Sequence, residues 1–465
     1  MENEIIQEES FRDSISTVTK EGKRVWIYPK KPSGKFYNAR TLVSIFLLVF
    51  LFGVPFIKID GHPFIILNVI ERKFILFGIP FGPHDLHLFA LTMIAFIVSI
   101  FLFTVVYGRL FCGWICPQTI FMEMVFRKIE YWIEGDASKQ RILNKSPWNA
   151  VKFLKKSSKQ LIFFVLSFII ANIFLAYIIG IDELQKYISA SPSEHFTTFL
   201  AVLIFAGLFY FVFSYFREQA CTLVCPYGRL QGVMLDQNSV VIHYDYKRGE
   251  PRGKIRKDQI QNSGDCIDCY LCVDVCPTGI DIRNGTQLEC VNCTACIDAC
   301  NDVMDKVNRP RGLIRYASKN QIETGKQPLV TPRSIGYTLV LILLTVLIIF
   351  LLVNRSPVEL SILRSPGLLF QEQSDGRISN IYDLKIVNKT FDQLPASLEL
   401  QNLNGEIKLI GNDLIVNPQG VTESKFLVIL HKSEIKAMKT PLQISVKSND
   451  KVLDVIQTSF LGKVK

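Results

Sequence analysis

Cys266-Ile-Asp-Cys269-Tyr-Leu-Cys272-Val-Asp-Val-Cys276-Pro277 and, further along, Cys290-Val-Asn-Cys293-Thr-Ala-Cys296-Ile-Asp-Ala-Cys300-Asn301 repeat one spacing, C-x-x-C-x-x-C-x-x-x-C. Three thiolates on a tight loop can wrap three irons of one cubane, while the fourth, a turn further on, points toward a neighbouring cluster. The spacing therefore predicts two 4Fe-4S clusters with crossed ligand sets. Cysteines Cys266, Cys269, Cys272 and Cys300 would hold cluster one, and Cys290, Cys293, Cys296 and Cys276 cluster two. The rival reading is a pair of Zn(Cys)4 sites, which also use C-x-x-C pairs but give no reason for the doubled triplet. The second run lacks the Pro that follows the first, which leaves the ligand count unchanged.

The remaining four of the twelve cysteines form a second pattern, Cys112-Gly-Trp-Ile-Cys116-Pro117 and Cys221-Thr-Leu-Val-Cys225-Pro226. On a helix, residues i and i+4 share a face, so each pair could present two sulfurs to a common ligand. One such pair would read as small buried hydrophobes. Two equivalent pairs, each followed by Pro and each closing an apolar run, read as an internal duplication around a copper or redox site.

Those apolar runs set the surroundings. A chain of 465 residues that is 49% hydrophobic holds more apolar surface than one soluble core of this size uses. Five stretches reach the ~20 residues that cross a bilayer as helix, roughly Thr41 to Ile57, Leu86 to Tyr107, Leu161 to Gly180, Phe196 to Phe216 and Ser334 to Val353. The net charge of +10 is spread beside these runs and does not form a basic patch with interleaved aromatics, so nucleic acid is not an expected partner.

Charge bias gives the orientation. Lys20, Lys23, Arg24, Lys30, Lys31, Lys35 and Arg40 precede the first run, and Arg127, Lys128, Lys139, Arg141, Lys145, Lys152, Lys155, Lys156 and Lys159 lie between the second and third. The other connections carry only Lys58, Arg72 and Lys73, or Lys186. By the positive-inside rule the basic segments are cytoplasmic, which places 217–333 and all twelve cysteines on or near that side. Met1 to Ser10, acidic and polar, shows no signal-peptide pattern, in keeping with a cytoplasmic N-terminus. Thiols in a reducing compartment are more readily ligands than disulfides.

The expected organisation is a cytoplasmic tail (1–40), four spans with the first cysteine pair (41–216), a cytoplasmic segment with the second pair and the ferredoxin-like domain (217–333), a fifth span (334–353) and a periplasmic unit (354–465). In the last, Tyr382 to Val387, Ser397 to Leu400, Lys425 to Ile429, Leu442 to Val446 and Val452 to Phe460 are short β-rich runs separated by turn residues, predicting an immunoglobulin-like sandwich without a disulfide. His62, His84 and His87 lie in or beside the first external loop, where a polar interfacial residue explains them as well as a metal does. No Gly-x-Gly-x-x-Gly fingerprint follows a strand, so electrons must come from an outside donor.

Taken in order, five segments resemble the FixG/RdxA/CcoG family of cytochrome c oxidase accessory proteins, which are membrane polyferredoxins. They are Cys112-Gly-Trp-Ile-Cys-Pro-Gln-Thr through Ile133-Glu-Gly-Asp136, Phe216-Arg-Glu-Gln-Ala-Cys221 through Arg229, Arg248-Gly-Glu-Pro-Arg-Gly253, Gly264-Asp-Cys266 through the second cysteine run, and Arg309-Pro-Arg-Gly-Leu-Ile-Arg-Tyr316. One departure is Phe81-Gly-Pro-His84-Asp85, where the family pattern has Trp-Pro-Gln-Asp. The resemblance implies a bacterial inner-membrane protein that assists assembly of a cbb-type haem-copper oxidase. It also implies a cupric reductase that makes Cu(I) for delivery, with oxidase subunits or copper chaperones as partners. Two other classes stay open: an electron-transfer subunit between quinol and a partner reductase, and a structural assembly scaffold.

Overall fold

The computed structural model describes residues 17–19, 21–254, 264–326, 330–367, 369–411, 414–448 and 451–463; Met1–Ser10 and Lys20 lie outside them. The chain divides into two compact units, Met1–Ile57 with Leu91–Val346, and Lys58–Ala90 with Leu347–Lys465.

Among the described residues five helices are long and apolar enough to cross a bilayer: Lys35–Phe56, Pro83–Tyr107, Ala150–Ile179, Phe196–Phe216 and Pro332–Val353. The third starts well before the expected Leu161. Asn149 caps it, accepting the Lys152 N–H at 2.7 Å, and so draws the basic run Lys152, Lys155, Lys156 and Lys159 into its opening turns. The first ends in a 3-10 turn at Val54–Phe56, where Pro55 has no N–H to continue the ladder.

In the first unit the third and fourth helices meet through Ala171, Val202 and Ala206, small side chains that allow close approach where lipid offers no hydrophobic drive. Nearby, Phe126 stacks on Phe213 at 4.8 Å and meets Phe163 edge-on at 4.8 Å. This aromatic knot ties the segment after the first cysteine pair to both helices.

The same unit carries the ferredoxin-like segment. Each cysteine run leads into a helix, Leu271–Asp274 or Ala295–Lys306, through left-handed residues at matching positions. These are Asp268 and Tyr270 (φ 53° and 58°) in the first run, Asn292 and Thr294 (φ 54° and 67°) in the second. Alternating hand turns successive N–H groups to one side, the concavity that binds anions. Strands Val241–Tyr244 and Ile314–Ala317 pair antiparallel, with Ile242 opposite Tyr316 and Tyr244 opposite Ile314, and cover the cysteines from one side.

The second unit is a sandwich. One sheet runs Gly405–Ile410, Val421–Leu430, Ile378–Asn388 and Val358–Arg364 in spatial order, the other Ser397–Leu400, Lys439–Ser448 and Lys451–Leu461. Their alternating inward residues, among them Tyr382, Phe426, Leu430, Ile444 and Phe460, form its core. The Tyr382 hydroxyl donates to the Ser459 carbonyl at 3.0 Å, which lets a phenol sit inside. All five β runs expected from sequence are strands, each a little longer than foreseen or equal.

The segment Lys58–Ala90 belongs to this unit and folds into strands Ile65–Asn68, Lys73–Leu76 and Ile79–Phe81. Its Asp85 is buried and paired with Arg355 at 2.8 Å and Lys389 at 2.9 Å. His62 stacks on Phe391 with ring centres 3.8 Å apart.

Candidate functional site

The eight ferredoxin-run cysteines line two small cavities. One is walled by Cys266, Cys269, Cys272 and Cys300 with Tyr244, Leu313 and Ile314. The other is walled by Cys276, Cys290, Cys293 and Cys296 with Ile242 and Ile282, and Cys272 borders it too. The fourth cysteine of each run therefore sits with the triplet of the other. Among the described residues no three His, Cys, Asp or Glu side chains gather as they would around a single ion. Four cysteines spread around each hollow suit a cubane.

Burial pushes the thiols of Cys272, Cys290 and Cys300 up to about 12 and that of Cys293 to about 11, with neighbouring cysteines adding to the rise. Thiolates in such a place need a cation, and iron supplies one. Of the eight, Cys269 is exposed, Cys276 and Cys290 are half-buried and the rest are buried.

The other two cysteine pairs are built alike. Each follows a left-handed residue that breaks the preceding membrane helix, Gly108 (φ 57°) or Arg217 (φ 53°). Cys116 and Cys225 then cap the next helix from outside, with Pro117 and Pro226 at its first position, where no N–H is needed. Their own N–H groups close wide turns on carbonyls five residues back, Cys116 on Phe111 and Cys225 on Ala220, both at 2.9 Å. The expectation of two sulfurs on one helical face thus needs correction. Proline's missing donor and the wide turn break the helix between the two cysteines of each pair, and π-helical turns at Ile120–Phe126, Val212–Phe216 and Ala220–Val224 surround the breaks.

The pairs are nonetheless close enough to feel one another's charge. Burial raises Cys112 to about 11, with Cys116 and Cys225 adding to the rise and Arg109 opposing it; desolvation raises the half-buried Cys221 to about 12, and the other three add to it. The Cys112 thiol donates to Gln231 at 3.0 Å, and Gln231 donates to Thr104 of the second span at 3.1 Å.

Buried ion pairs hold the two motifs in register. Arg127 lies between Glu123, seven residues after Cys116, at 3.2 Å, and Glu218, three before Cys221, at 3.5 Å. Arg217 reaches Glu130 at 2.7 Å, and Lys159 reaches Glu134 at 2.9 Å. Burial alone would push Glu130 up, but Arg217, Lys159 and Arg127 outweigh it and hold the carboxyl below its usual range. Sequence reading counted Arg127 and Lys159 only as orientation signals. Their partners were visible as glutamates near the cysteines, but not the pairing.

The first motif also sits on the ferredoxin segment. A Cβ on Gly113 would lie 2.5 Å from the Asn292 carbonyl oxygen and 2.6 Å from that of Val291, so only glycine fits between Cys112 and Trp114. Arg40 donates to the Gly113 carbonyl at 2.6 Å. Trp114 donates to the Tyr316 hydroxyl at 3.2 Å, which donates to the Asn292 carbonyl at 3.2 Å.

Residues 216–319 match the 4Fe-4S dicluster domain, residues 89–139 a 4Fe-4S binding domain, and residues 348–463 the IG-like fold at the C-terminal of FixG. Protein RdxB of Cereibacter sphaeroides is 33% identical over 79% of this chain and 80% of its own length. Nitrogen fixation protein FixG of Rhizobium meliloti is 30% identical over 94% and 93%. A crystal structure of a FixG-related protein from Vibrio parahaemolyticus aligns with 24% of this chain and all of its own at 21% identity, with a TM-score of 0.21.

Proposed function

This chain belongs to the FixG/RdxA family of membrane iron–sulfur proteins, and from that premise we propose that it reduces Cu(II) to Cu(I) at a site formed by Cys112, Cys116, Cys221 and Cys225. The observation that carries this reading is the seating of the first cysteine pair on the second ferredoxin run, Gly113 against the Val291 and Asn292 carbonyls. A metal-binding pair in direct contact with a cluster-binding loop is an arrangement for passing single electrons to a metal.

Clusters held by Cys266, Cys269, Cys272 and Cys300 and by Cys290, Cys293, Cys296 and Cys276 would supply those electrons, over a range of about −700 to +450 mV. The chain's own residues do the rest. The paired turns collect soft sulfur, which favours Cu(I) over Cu(II) and so makes reduction easier. Arg127 and its glutamates fix the two turns against each other, while Gln231 holds Cys112 and Ile242 and Ile282 keep water from the second cavity. Each Cu(II) takes one electron, drawn from an outside one-electron donor. The cysteine sites face the cytoplasm and the β unit the periplasm, and the Cu(I) serves assembly of a cbb-type oxidase through a chaperone or an oxidase subunit.

Replacing Cys112 and Cys225 together by Ser tests this. Iron should stay at about eight atoms per chain, four for each cluster, while copper reduction and oxidase maturation are lost. Retention of both activities would remove the site, and a scaffold would also tolerate loss of every cluster ligand. An apolar cavity of about 810 Å³ near the far ends of the third and fourth spans, with Asn172, Tyr187 and His195 in its wall, favours the second reading, a quinol-linked subunit. That reading requires turnover with a quinol analogue in purified membranes.

A further inference from the structure

One cation between the cysteine turns and the ferredoxin segment has no place in the chemistry above. Arg109 follows Gly108 where the second span ends and is buried, 3% exposed. Its Nη1 instead donates to the Leu288 carbonyl and, at 3.3 Å, to the Cys290 carbonyl, both in the loop that opens the second run. Its Nη2 lies where a side chain on Gly228 would begin: a Cβ there would sit 2.5 Å from it. Gly228 is in the helix that Cys225 caps. A single guanidinium thus touches the first cysteine turn by covalent connection, the second by packing and the ferredoxin run by hydrogen bonds.

We propose that Arg109 is a positioning residue that clamps the two cysteine turns onto the Cys290–Cys293 loop, so that the four-cysteine site is coupled to the second cluster site and not to the first. Three features support the choice of partner. Arg109 and Gly113, on either side of Cys112, both meet the second run, and Tyr316 ties Trp114 to Asn292 within it. Arginine suits the task because one nitrogen of its planar guanidinium, Nη1, serves both carbonyls while the other, Nη2, lies against Gly228. The proposal rests on the four-cysteine reading only for the identity of what is being coupled.

The test uses the full-length protein with its iron, in detergent, without oxygen. Arg109→Gln should leave iron content unchanged, raise the alkylation rate of Cys221 about tenfold, as expected when a hydrogen bond worth about 1.4 kcal/mol that holds the turns closed is lost, and alter the EPR line shape and potential of one cluster only, the one whose signal Cys290→Ser removes. Should that variant fail to fold, Gly113→Ala separates the same surfaces from the other side and should give the same one-cluster signature. Arg311→Gln, which removes an exposed pair with Asp305, should change neither readout. Unchanged alkylation and an unchanged spectrum would overturn the clamp, as would an equal change in both clusters. If the Cys112/Cys225 double variant keeps copper reduction while Arg109→Gln shows the one-cluster signature, the copper reading fails and the clamp stands; the opposite pattern fails the clamp alone.

Discussion

At the scale of single residues, the strand pair over the clusters carries two side chains with opposed demands. His243 points away from the cavities that Ile242 and Tyr244 line, and burial, with Lys319 adding a little, pushes its pKa down to about 4 from 6.5. It is therefore neutral in the folded protein over a range where the unfolded chain binds a proton. The contribution is fully present above pH 6.5 and is lost as the pH falls toward 4, at most about 2 kcal/mol of it by pH 5. Unfolding measured at pH 7 and pH 5 should show a smaller loss in His243→Gln than in the parent protein; equal losses would refute the assignment. Tyr244 faces the other way, with its hydroxyl 3.2 Å from Glu250 and close enough to Cys266 to feel its charge. A hydroxyl dipole beside a ligand sulfur tunes a cluster's potential, so Tyr244→Phe should shift the potential of one cluster only, that of the first run, in a redox titration with no loss of iron.

At the scale of elements, what joins the two cysteine turns is electrostatic. Arg127→Met would leave Glu123 unpaired in a buried place and take from Glu218 one of its cations, and breaking a buried pair costs on the order of 3–5 kcal/mol. Thermal unfolding of the variant should come markedly earlier, with Cys112 and Cys221 labelled more readily; an unchanged midpoint would show the pair to be idle. Here the limit of the sequence is plain. The periodic signals were legible: spans of about 20 apolar residues, two cysteine runs at one spacing, alternating strands in the last quarter of the chain. What was not legible depends on closure in space. The broken helix inside Cys112-Gly-Trp-Ile-Cys116 comes from proline chemistry at Pro117, which was in view, but the carbonyls that Arg109 and Gly113 meet lie about 180 positions away in the chain. Likewise the capping Asn149 was visible, yet the basic run behind it looked like a loop until Lys159 was seen to meet Glu134.

At the scale of the whole molecule, the expected five crossings put Asp85 and the β unit on the same side of the membrane, and reporters fused within 58–80 and after Lys465 should then be active in the same compartment. Opposite results would mean that a span was miscounted. Asp85→Asn should destabilise the second unit by roughly 3 kcal/mol, since it leaves Arg355 and Lys389 with half their partner, and proteolysis of the Lys58–Ala90 loop would report it. The pairing of Asp85 with Lys389 also has a consequence in time. The two residues are 304 positions apart, and at 5–20 residues per second a ribosome takes roughly 15–60 s to make the intervening chain. Through that interval the segment between the first and second spans lacks the cation that pairs with Asp85. A nascent chain halted before Lys389 should therefore display the loop as a protease-sensitive segment, one that release of the full chain protects.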